Sequence, residues 1–224
     1  MNASNSTRPH MVVAVDGPSG SGKSSISKKS AEKLGLKFLD TGAMYRALTW
    51  FCLKNNLNDE NQIQPKLSKD DFDLWISIDP NLDLVKVNGQ DITGPIRENF
   101  VTTNVSKFAA MPKVRDFLVD KQRELVKLSG QRIVVEGRDI GSVVLPNADF
   151  KIYITASDEI RAKRRASQTS TDEKLVLEAQ KIRDSLDSNR SVSPLIVPKG
   201  AVVLDNTNLD FDNSVQRFIQ IVSV

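Results

Sequence analysis

A glycine-rich loop, Gly17-Pro18-Ser19-Gly20-Ser21-Gly22-Lys23-Ser24, follows the apolar run Met11-Val12-Val13-Ala14-Val15 after a single aspartate. Glycine, four residues and then Gly-Lys-Ser, placed between a buried strand and a helix, is the spacing of a phosphate-binding loop. The glycines let successive backbone N–H groups point into one concavity, and the helix N-terminus adds positive potential. Lys23 is expected to reach the β- and γ-phosphates, and the Ser24 hydroxyl to ligate a bridging Mg²⁺. The loop therefore predicts binding of ATP or GTP with magnesium.

The composition limits the remaining chemistry. The chain has 224 residues, of which 39% are apolar, and 31 basic and 28 acidic residues give a net charge of +3. This length predicts one main domain with room for a small inserted module, and the charge gives no nucleic-acid footprint. The single cysteine, Cys52, excludes an internal disulfide and falls on the apolar face of a predicted helix. The only histidine, His10, lies near the N-terminus, so the folded part offers neither a histidine base nor a zinc site.

Residues 1–10 are polar, and we expect them to form a flexible tail. They contain no apolar stretch of the length that a signal peptide or a membrane span requires. We therefore expect a cytoplasmic protein with no membrane or nucleic-acid partner. No unusual apolar stripe is visible in the sequence, which favours a monomer.

Four short runs rich in β-branched residues have the pattern of strands buried on both faces: Met11–Val15, Arg132–Val135, Phe150–Ile154 and Ala201–Leu204. Lys37–Leu39 is a weaker fifth. Segments with helical spacing of apolar residues separate these runs. The alternation predicts an α/β fold, a P-loop NTPase-like sheet of five parallel strands flanked by helices.

Ligands of such sheets bind beyond the carboxyl ends of the strands. The phosphate loop, Asp40, Glu136 and Asp205 each follow a predicted strand. We therefore expect these residues to line one ligand site.

Residues 58–97 break this alternation. Phe72–Ile78 and Leu82–Val87 alternate with period two, and Asn88-Gly89 follows. Short alternating runs next to Asn-Gly are typical of antiparallel hairpins. We expect a small β module inserted on the side of the second ligand, within a kinase core formed by residues 11–57 and 98–224.

Two segments at predicted strand ends carry acids and arginines. Asp40-Thr41-Gly42-Ala43-Met44-Tyr45-Arg46 starts a helix, and Arg46 is suited to hold a second phosphate. In Glu136-Gly137-Arg138-Asp139, Glu136 is placed to hold magnesium directly or through water, and Arg138 to bind a transferring phosphate. A solvated surface arginine at Arg46 and structural ion pairing around Glu136 are the alternatives.

Two further basic faces follow. Arg183, Asp187 and Arg190 fall at i, i+4 and i+7 on one helical face, about 100° from an apolar row. Arg161, Arg164 and Arg165 lie near the polar stretch 168–172, which suits a lid over the phosphates near residues 158–190. Exposed ion-pair ladders are the alternative for both faces.

Taken together, the ordered motifs resemble the bacterial-type cytidylate kinases, a family of nucleoside monophosphate kinases. The resemblance runs from about Val12 to the last helix, and the insert at 58–97 resembles that family's monophosphate-side insert. It is carried by residues 17–23, Asp40–Arg46, Ala109–Arg115, Glu136–Gly141, and Arg183-Asp184 with Asp187 and Arg190.

The resemblance implies a role for each matching residue. Residues 17–25 would bind ATP, with Lys23, Arg138, Arg161, Arg165, Arg183 and Arg190 acting in catalysis. Thr41, Ser106, Arg115 and Asp139 would recognise the cytosine edge. Tyr45, Arg183 and Asp187 would face the sugar, and Arg46, Arg138 and Arg190 would clamp the monophosphate. The implied reaction is transfer of the γ-phosphoryl group of MgATP to CMP or dCMP.

The sequence departs from the family pattern in three places. Ser24-Ser25 stands where many relatives have Gly-Thr, so the magnesium hydroxyl belongs to either serine. Leu186 and Ser188 replace further arginines of some relatives, and the polar lid segment is short. The lid contacts to ATP are therefore the least defined part of the resemblance.

Three rival functions each match part of the sequence. A regulatory GTPase would need an Asn-Lys-x-Asp segment, which the sequence lacks, although Asp91-Ile92-Thr93-Gly94 matches a switch pattern. A nucleic-acid-binding ATPase is disfavoured by the near-neutral charge and the lack of an aromatic stacking pattern. A kinase of the same fold acting on UMP or shikimate is separated from a CMP kinase only by Ser106, Arg115 and Asp139.

Overall fold

The computed structural model describes residues 10–69, 71–169 and 171–223. The tail expected at residues 1–10 therefore lies, apart from His10, outside the described residues. Five strands form one sheet: β1 Met11–Asp16, β2 Lys37–Asp40, β6 Arg132–Glu136, β7 Phe150–Thr155 and β8 Val202–Asp205. Their order in the sheet is β2–β6–β1–β7–β8, and all neighbouring strands pair in parallel. The five predicted strands and their parallel arrangement are confirmed.

The two faces of β1 contribute to two separate apolar cores. Val12 and Ala14 pack on one side, and Val13 and Val15 pack on the other. Successive side chains of a strand point to opposite faces, and a strand covered on both sides reads as a continuous apolar run. Helices on both faces of the sheet explain why the predicted strands lack alternation.

The first core lies under α2 Thr41–Lys54 and α6 Pro112–Leu128. The second lies under α1 Lys23–Leu34 and α9 Phe211–Val222. Cys52 is fully buried in the first core, where burial raises the pKa of its thiol to about 12. Its predicted position on an apolar helix face is confirmed.

A second, three-stranded sheet is antiparallel and consists of β3 Leu74–Ile76, β4 Val85–Val87 and β5 Gln90–Asp91. Asn88 and Gly89 both have positive φ, 50° and 77°, and form the tight turn between β4 and β5. This is the backbone that an Asn-Gly hairpin requires. The antiparallel strand pairing predicted from the alternating pattern is confirmed.

The segment before this small sheet contains a helix, α3 Glu60–Ser68, that the period-two pattern did not indicate. Asp59 caps it by accepting hydrogen bonds from the backbone N–H groups of Asn61 and Gln62. Ile63 and Leu67, four residues apart, enter the first apolar core. The cap and this spacing are the sequence signals that would have predicted α3.

Two long helices, α7 Asp158–Thr169 and α8 Glu173–Ser188, follow β7. The apolar row of α8 faces solvent, since Leu175, Ile182 and Leu186 are all more than half exposed. An exposed apolar stripe is therefore present, contrary to the sequence expectation. Short helical segments complete the fold: Pro95–Arg97, α4 Asn99–Thr102, α5 Val105–Ala109 and a π-helical turn at Ile140–Val144. Of the helices within the described residues, none is long and apolar enough to cross a membrane.

Candidate active site

A cavity of about 870 Å³ opens at the carboxyl ends of β1, β2 and β6. The phosphate loop, the start of α2, the segment after β6 and one face of α8 form its walls. Of the strand-end acids, Asp40 and Glu136 line this mouth, whereas Asp205 does not and its neighbour Asn206 does. The predicted site residues that line the cavity are Ser19, Gly20, Gly22, Lys23, Ser24, Ser25, Thr41, Tyr45, Arg46, Ser106, Arg115, Glu136, Arg138, Asp139, Arg165, Arg183, Asp187 and Arg190.

Four predicted residues lie behind this lining: Gly17, Pro18, Ser21 and Arg161. Gly17 has φ +150°, and a Cβ there would lie 2.0 Å from the carbonyl oxygen of Ile154. Pro18 accepts a hydrogen bond from Lys23 Nζ at 3.4 Å through its carbonyl. The close approach of the loop to β7 explains the need for glycine at position 17.

Lys23 begins α1 and is almost fully buried. Its Nζ lies 3.8 Å from Oε2 of Glu136. Burial, together with the nearby Arg138, lowers the pKa of Lys23 to about 8, while Glu136 acts in the opposite direction. An anion brought into the cavity would restore the stability of the charged ammonium.

Glu136 ends β6 and is held from two sides. Ser24 donates from its hydroxyl to Oε1 at 2.7 Å, and Thr41 donates to the backbone carbonyl at 2.7 Å. Burial raises the pKa of Glu136 to about 7 against the lowering effect of Lys23. Oε2 is buried and accepts no hydrogen bond from the described part of the chain.

The donor set around Glu136 fits magnesium. Within the described residues, no three His, Cys, Asp or Glu side chains cluster as a metal cage. Mg²⁺ is typically held by one or two protein oxygens together with substrate phosphates and water. The Glu136 carboxylate and the Ser24 hydroxyl, which are hydrogen-bonded to each other, supply two such protein oxygens.

Arginines from three elements converge on the other end of the cavity. Arg46 pairs with Asp40 at 2.9 Å, and Arg138 donates from Nε to Asp187 at 3.0 Å. Burial and the neighbouring Arg138 lower the pKa of Arg183 to about 10. In this cluster, three buried N–H groups have no hydrogen-bond partner in the described chain: Arg46 Nε, Arg183 Nε and Arg190 Nη2.

Unpaired buried donors on neighbouring cations are costly in an empty site. An anion with several acceptor oxygens, such as a phosphate, would satisfy them together. The arginine cluster is therefore suited to a phosphate, apart from the phosphate loop but in the same cavity.

Arg115 and Asp139 form a buried ion pair beyond this cluster. Arg115 also donates to the carbonyl of Ala109 at 3.3 Å, and its guanidinium lies 5.6 Å from the centre of the Tyr45 ring. Burial raises the pKa of Asp139, although Arg115 opposes the shift. Ser106, from α5, lines the same part of the cavity. This corner offers a carboxylate and an arginine to a polar, planar ligand edge.

The opposite end of the cavity joins Arg164, from the basic face predicted for the lid, to Asn206, Phe211 and Ser214, which the motifs did not indicate. Arg164 donates to the side-chain oxygen of Asn206 at 2.9 Å, and Asn206 donates to the carbonyl of Ser21 at 2.9 Å. Phe211 and Ser214 from α9 line the same end. No motif links these residues, because β8, α7 and α9 bring them together only in the fold. The sequence signal that could have indicated this end is Asn206, a polar residue directly after β8.

Comparison with known proteins identifies the family. The model of the family described as "Cytidylate kinase" matches residues 13–224. The chain belongs to the cytidylate kinase family. It is 43% identical over 218 residues to a cytidylate kinase of Nocardia farcinica, covering 95% of this chain and 94% of the relative. A cytidylate kinase of Streptomyces avermitilis is 42% identical over 224 residues, covering 99% and 96%.

Comparison with solved structures supports the fold and says nothing about function. A crystal structure of a protein from Eubacterium ventriosum aligns over 96% of this chain and 99% of that chain, with a TM-score of 0.54 and 14% identity. Membership of the cytidylate kinase family makes this chain a nucleoside monophosphate kinase, an enzyme that uses nucleotide substrates. The family assignment disfavours the GTPase and nucleic-acid-binding alternatives. Asp91 of the switch-like segment lies in β5, outside the cavity lining.

Proposed function

We propose that this protein transfers the γ-phosphoryl group of MgATP to CMP or dCMP, giving ADP and CDP or dCDP. The observation that carries the proposal is that one cavity joins the phosphate loop to a separate cluster of buried arginines, whose N–H groups include three without a partner among the described residues. A phosphate donor and a phosphate acceptor can therefore be held side by side. The family assignment supports the nucleotide class.

The donor end would hold ATP. The loop residues that line the cavity and the Lys23 ammonium would bind the phosphates, and the end lined by Asn206 and Phe211 would receive the purine. Ser24 and Glu136 would hold Mg²⁺, which neutralises phosphate charge when it is bound. Ser24 is preferred over Ser25 because its hydroxyl already lies 2.7 Å from Glu136.

The acceptor end would hold the monophosphate and its base. Arg46, Arg138 and Arg190 clamp the phosphate, and Tyr45, Arg183 and Asp187 face the sugar. Cytosine presents an amino donor next to acceptor atoms, which a carboxylate and an arginine can read together. We assign that reading to Asp139 and Arg115, with Thr41 and Ser106 beside them, and place residues 58–97 as the insert flanking this end.

The chemical step requires no protein base. The phosphate of a nucleoside monophosphate is already anionic at neutral pH, so one of its oxygens attacks the γ-phosphorus directly. The new O–P bond forms as the bond from the γ-phosphorus to the β,γ-bridging oxygen breaks, and ADP leaves with that electron pair. Lys23 and the acceptor arginines neutralise the charge that concentrates between the two phosphates. The protein's main contribution is alignment of the two substrates.

Helices α7 and α8 would act as the lid near residues 158–190. Arg165 lines the cavity from α7 and would approach the triphosphate, which helps to exclude water from the γ-phosphorus. Arg161 does not line the cavity in this structure, so its predicted contact with the triphosphate would require a rearrangement. Its hydrogen bonds to Ser19, Asp158 and Asp184 support a different role.

We also expect the protein to act as a monomer, because residues of a single chain line both ends of the cavity. The cytoplasmic location expected from the sequence stays a prediction. Sedimentation velocity tests the monomer, and a dimer through the exposed apolar row of α8 is the competing result.

Chromatography of a reaction containing MgATP and CMP tests the proposed activity. CDP and ADP should appear in equal amounts, whereas ADP without CDP would contradict the transfer.

A further inference from the structure

Ser19 of the phosphate loop is held at both of its backbone polar groups by the lid helices. Its N–H donates to Oδ1 of Asp184 at 3.1 Å, and its carbonyl accepts from Nη1 of Arg161 at 2.7 Å. Asp184 belongs to α8 and Arg161 to α7. The two side chains also form an ion pair with each other, and Arg161 makes a second one with Asp158 at 2.6 Å. The loop, α7 and α8 are thus joined at one point.

The packing around this point is close. Arg161 and Gln180 are both 5% exposed, and Gln180 donates to the backbone carbonyl of Arg161 at 3.3 Å. A Cβ added at Gly20 would lie 2.3 Å from Nε2 of Gln180 and 3.0 Å from the Arg161 carbonyl. The lid helices therefore rest directly on the loop backbone.

The same helix that carries Asp184 also carries the proposed acceptor ligands. Arg183 and Asp187 line the cavity, and Arg190 lies just beyond the end of α8. Residue 184 is one position from Arg183 and three from Asp187, so a displacement of Asp184 moves both. The bond between Asp184 and Ser19 consequently fixes the acceptor ligands relative to the donor loop.

We propose that Asp184 and Arg161 are positioning residues, which lock α8 against Ser19 and thereby set the distance between the bound donor and acceptor phosphates. Asp184 supplies the hydrogen bond to the loop. Arg161 neutralises its carboxylate, which would otherwise repel a triphosphate bound beside it. The part that concerns the acceptor ligands rests on the proposed function. The part that concerns the phosphate loop rests on the contacts of Ser19.

Two other roles make different predictions. If the pair only stabilised the fold, its loss would lower the melting temperature without changing kcat for the folded enzyme. If Arg161 were a direct ligand of the triphosphate, removal of Asp184 could not compensate for the loss of Arg161. Separate measurements of analogue binding and of kcat distinguish these roles.

The experiment uses the full chain with the substitutions Asp184→Ala, Arg161→Ala, both together, and Glu178→Ala as the control. Glu178 is an exposed acid on the same helix and lies outside the cavity lining. Kd for a non-hydrolysable ATP analogue is measured without acceptor, and kcat is measured with saturating MgATP and CMP. Thermal unfolding establishes that each variant is folded.

Asp184→Ala should lower kcat by about tenfold or more, because misalignment of bound substrates is costly, while leaving Kd for the ATP analogue within about threefold of wild type. Arg161→Ala should weaken the analogue by about tenfold, since it leaves a carboxylate unpaired beside the loop. The double variant should bind the analogue more tightly than Arg161→Ala alone. Glu178→Ala should match wild type in both quantities.

Wild-type kcat in folded Asp184→Ala would overturn the inference, as would a double variant that binds the analogue no better than Arg161→Ala. If Asp184→Ala does not fold, Asp184→Asn replaces it, because Asn keeps the shape and an acceptor for Ser19 but loses the charge. The variant Arg161→Ala/Asp184→Asn should then bind the analogue more tightly than Arg161→Ala, and equal binding by the two would overturn the proposal. The ATP-analogue measurements need no acceptor, so they remain decisive even if CMP is not phosphorylated and the proposed function fails.

Discussion

The hydroxyl of Ser24, at the start of α1, donates to Oε1 of Glu136, at the end of β6, over 2.7 Å. The two residues are 112 positions apart in the chain. Their contact joins the helix after the phosphate loop to the strand that leads to the arginine cluster. A cation placed here would lie between the donor loop and the acceptor site, where phosphate charge accumulates.

Glu136→Gln should raise the Mg²⁺ concentration needed for half-maximal activity by about tenfold or more, because a neutral amide is a weaker ligand than a carboxylate. A magnesium titration at fixed ATP and CMP measures this. Glu32→Gln, at an exposed acid of α1, is the matched control and should leave the titration unchanged. Identical titrations for Glu136→Gln and wild type would remove Glu136 from the magnesium site.

Asp139→Ala should lower kcat/KM for CMP by about 2 kcal/mol or more, roughly 30-fold, because a buried charge-assisted contact to the base is lost. The ratio of CMP to UMP efficiency should fall as well. Asp116→Ala, at an exposed acid of α6, is the control. An unchanged rate and an unchanged CMP/UMP ratio would refute the base-reading role of Asp139.

Gly17→Ala should lower the free energy of unfolding by at least about 3 kcal/mol, because the added Cβ meets backbone that has no room to move. That Cβ would lie 2.0 Å from the Ile154 carbonyl oxygen, at φ +150°. At Gly94, where φ is −73° and no atom lies within 4 Å of an added Cβ, the same change should alter stability by less than about 1 kcal/mol. Urea unfolding of the two variants gives the comparison. Equal losses at both positions would contradict the steric argument.

Asp16 provides a pH-dependent prediction. Its buried carboxylate accepts from the backbone N–H groups of Ile140 at 2.6 Å and Gly141 at 2.8 Å. Burial nevertheless raises its pKa from 3.8 to about 6. Because the folded state binds the proton more tightly than the unfolded state, ionisation of Asp16 destabilises the fold. The cost is absent below pH 4, grows between pH 4 and 6, and is complete above pH 6.

Wild type should therefore lose about 3 kcal/mol of stability relative to Asp16→Asn as the pH rises from 4 to 7. The comparison with Asp16→Asn cancels the titration of the other carboxylates. Urea unfolding of both proteins at pH 4, 5, 6 and 7 measures the difference. A difference that does not change with pH would show that Asp16 has the same pKa in both states.

The parts of the fold that the sequence predicts well are those coded by continuous local patterns. β1 and β6 read as β-branched runs because helices cover both of their faces. The hairpin turn was predictable because Asn88 and Gly89 tolerate positive φ. The helix α3 was missed because its short apolar spacing was outweighed by the period-two pattern that follows it.

Other features depend on which surfaces the fold covers. Helical spacing cannot show that Leu175, Ile182 and Leu186 remain exposed, since the same row would suit a buried face. Arg161 and Arg165 lie one turn apart on α7, and the sequence gives them the same role. In the fold, Asp158 and Asp184 bind Arg161 beneath the loop, whereas Arg165 lines the cavity. The two arginines differ because of contacts between segments that are far apart in the sequence, which local spacing does not reveal.

In the proposed reaction, one cavity aligns ATP with a cytidine monophosphate. The most direct test is the rate of ADP release from MgATP by the purified protein with CMP, dCMP, UMP, AMP, GMP or shikimate as acceptor. Turnover largely confined to CMP and dCMP is the predicted result. Activity with UMP alone, or slow hydrolysis that is the same with every acceptor, would contradict the account.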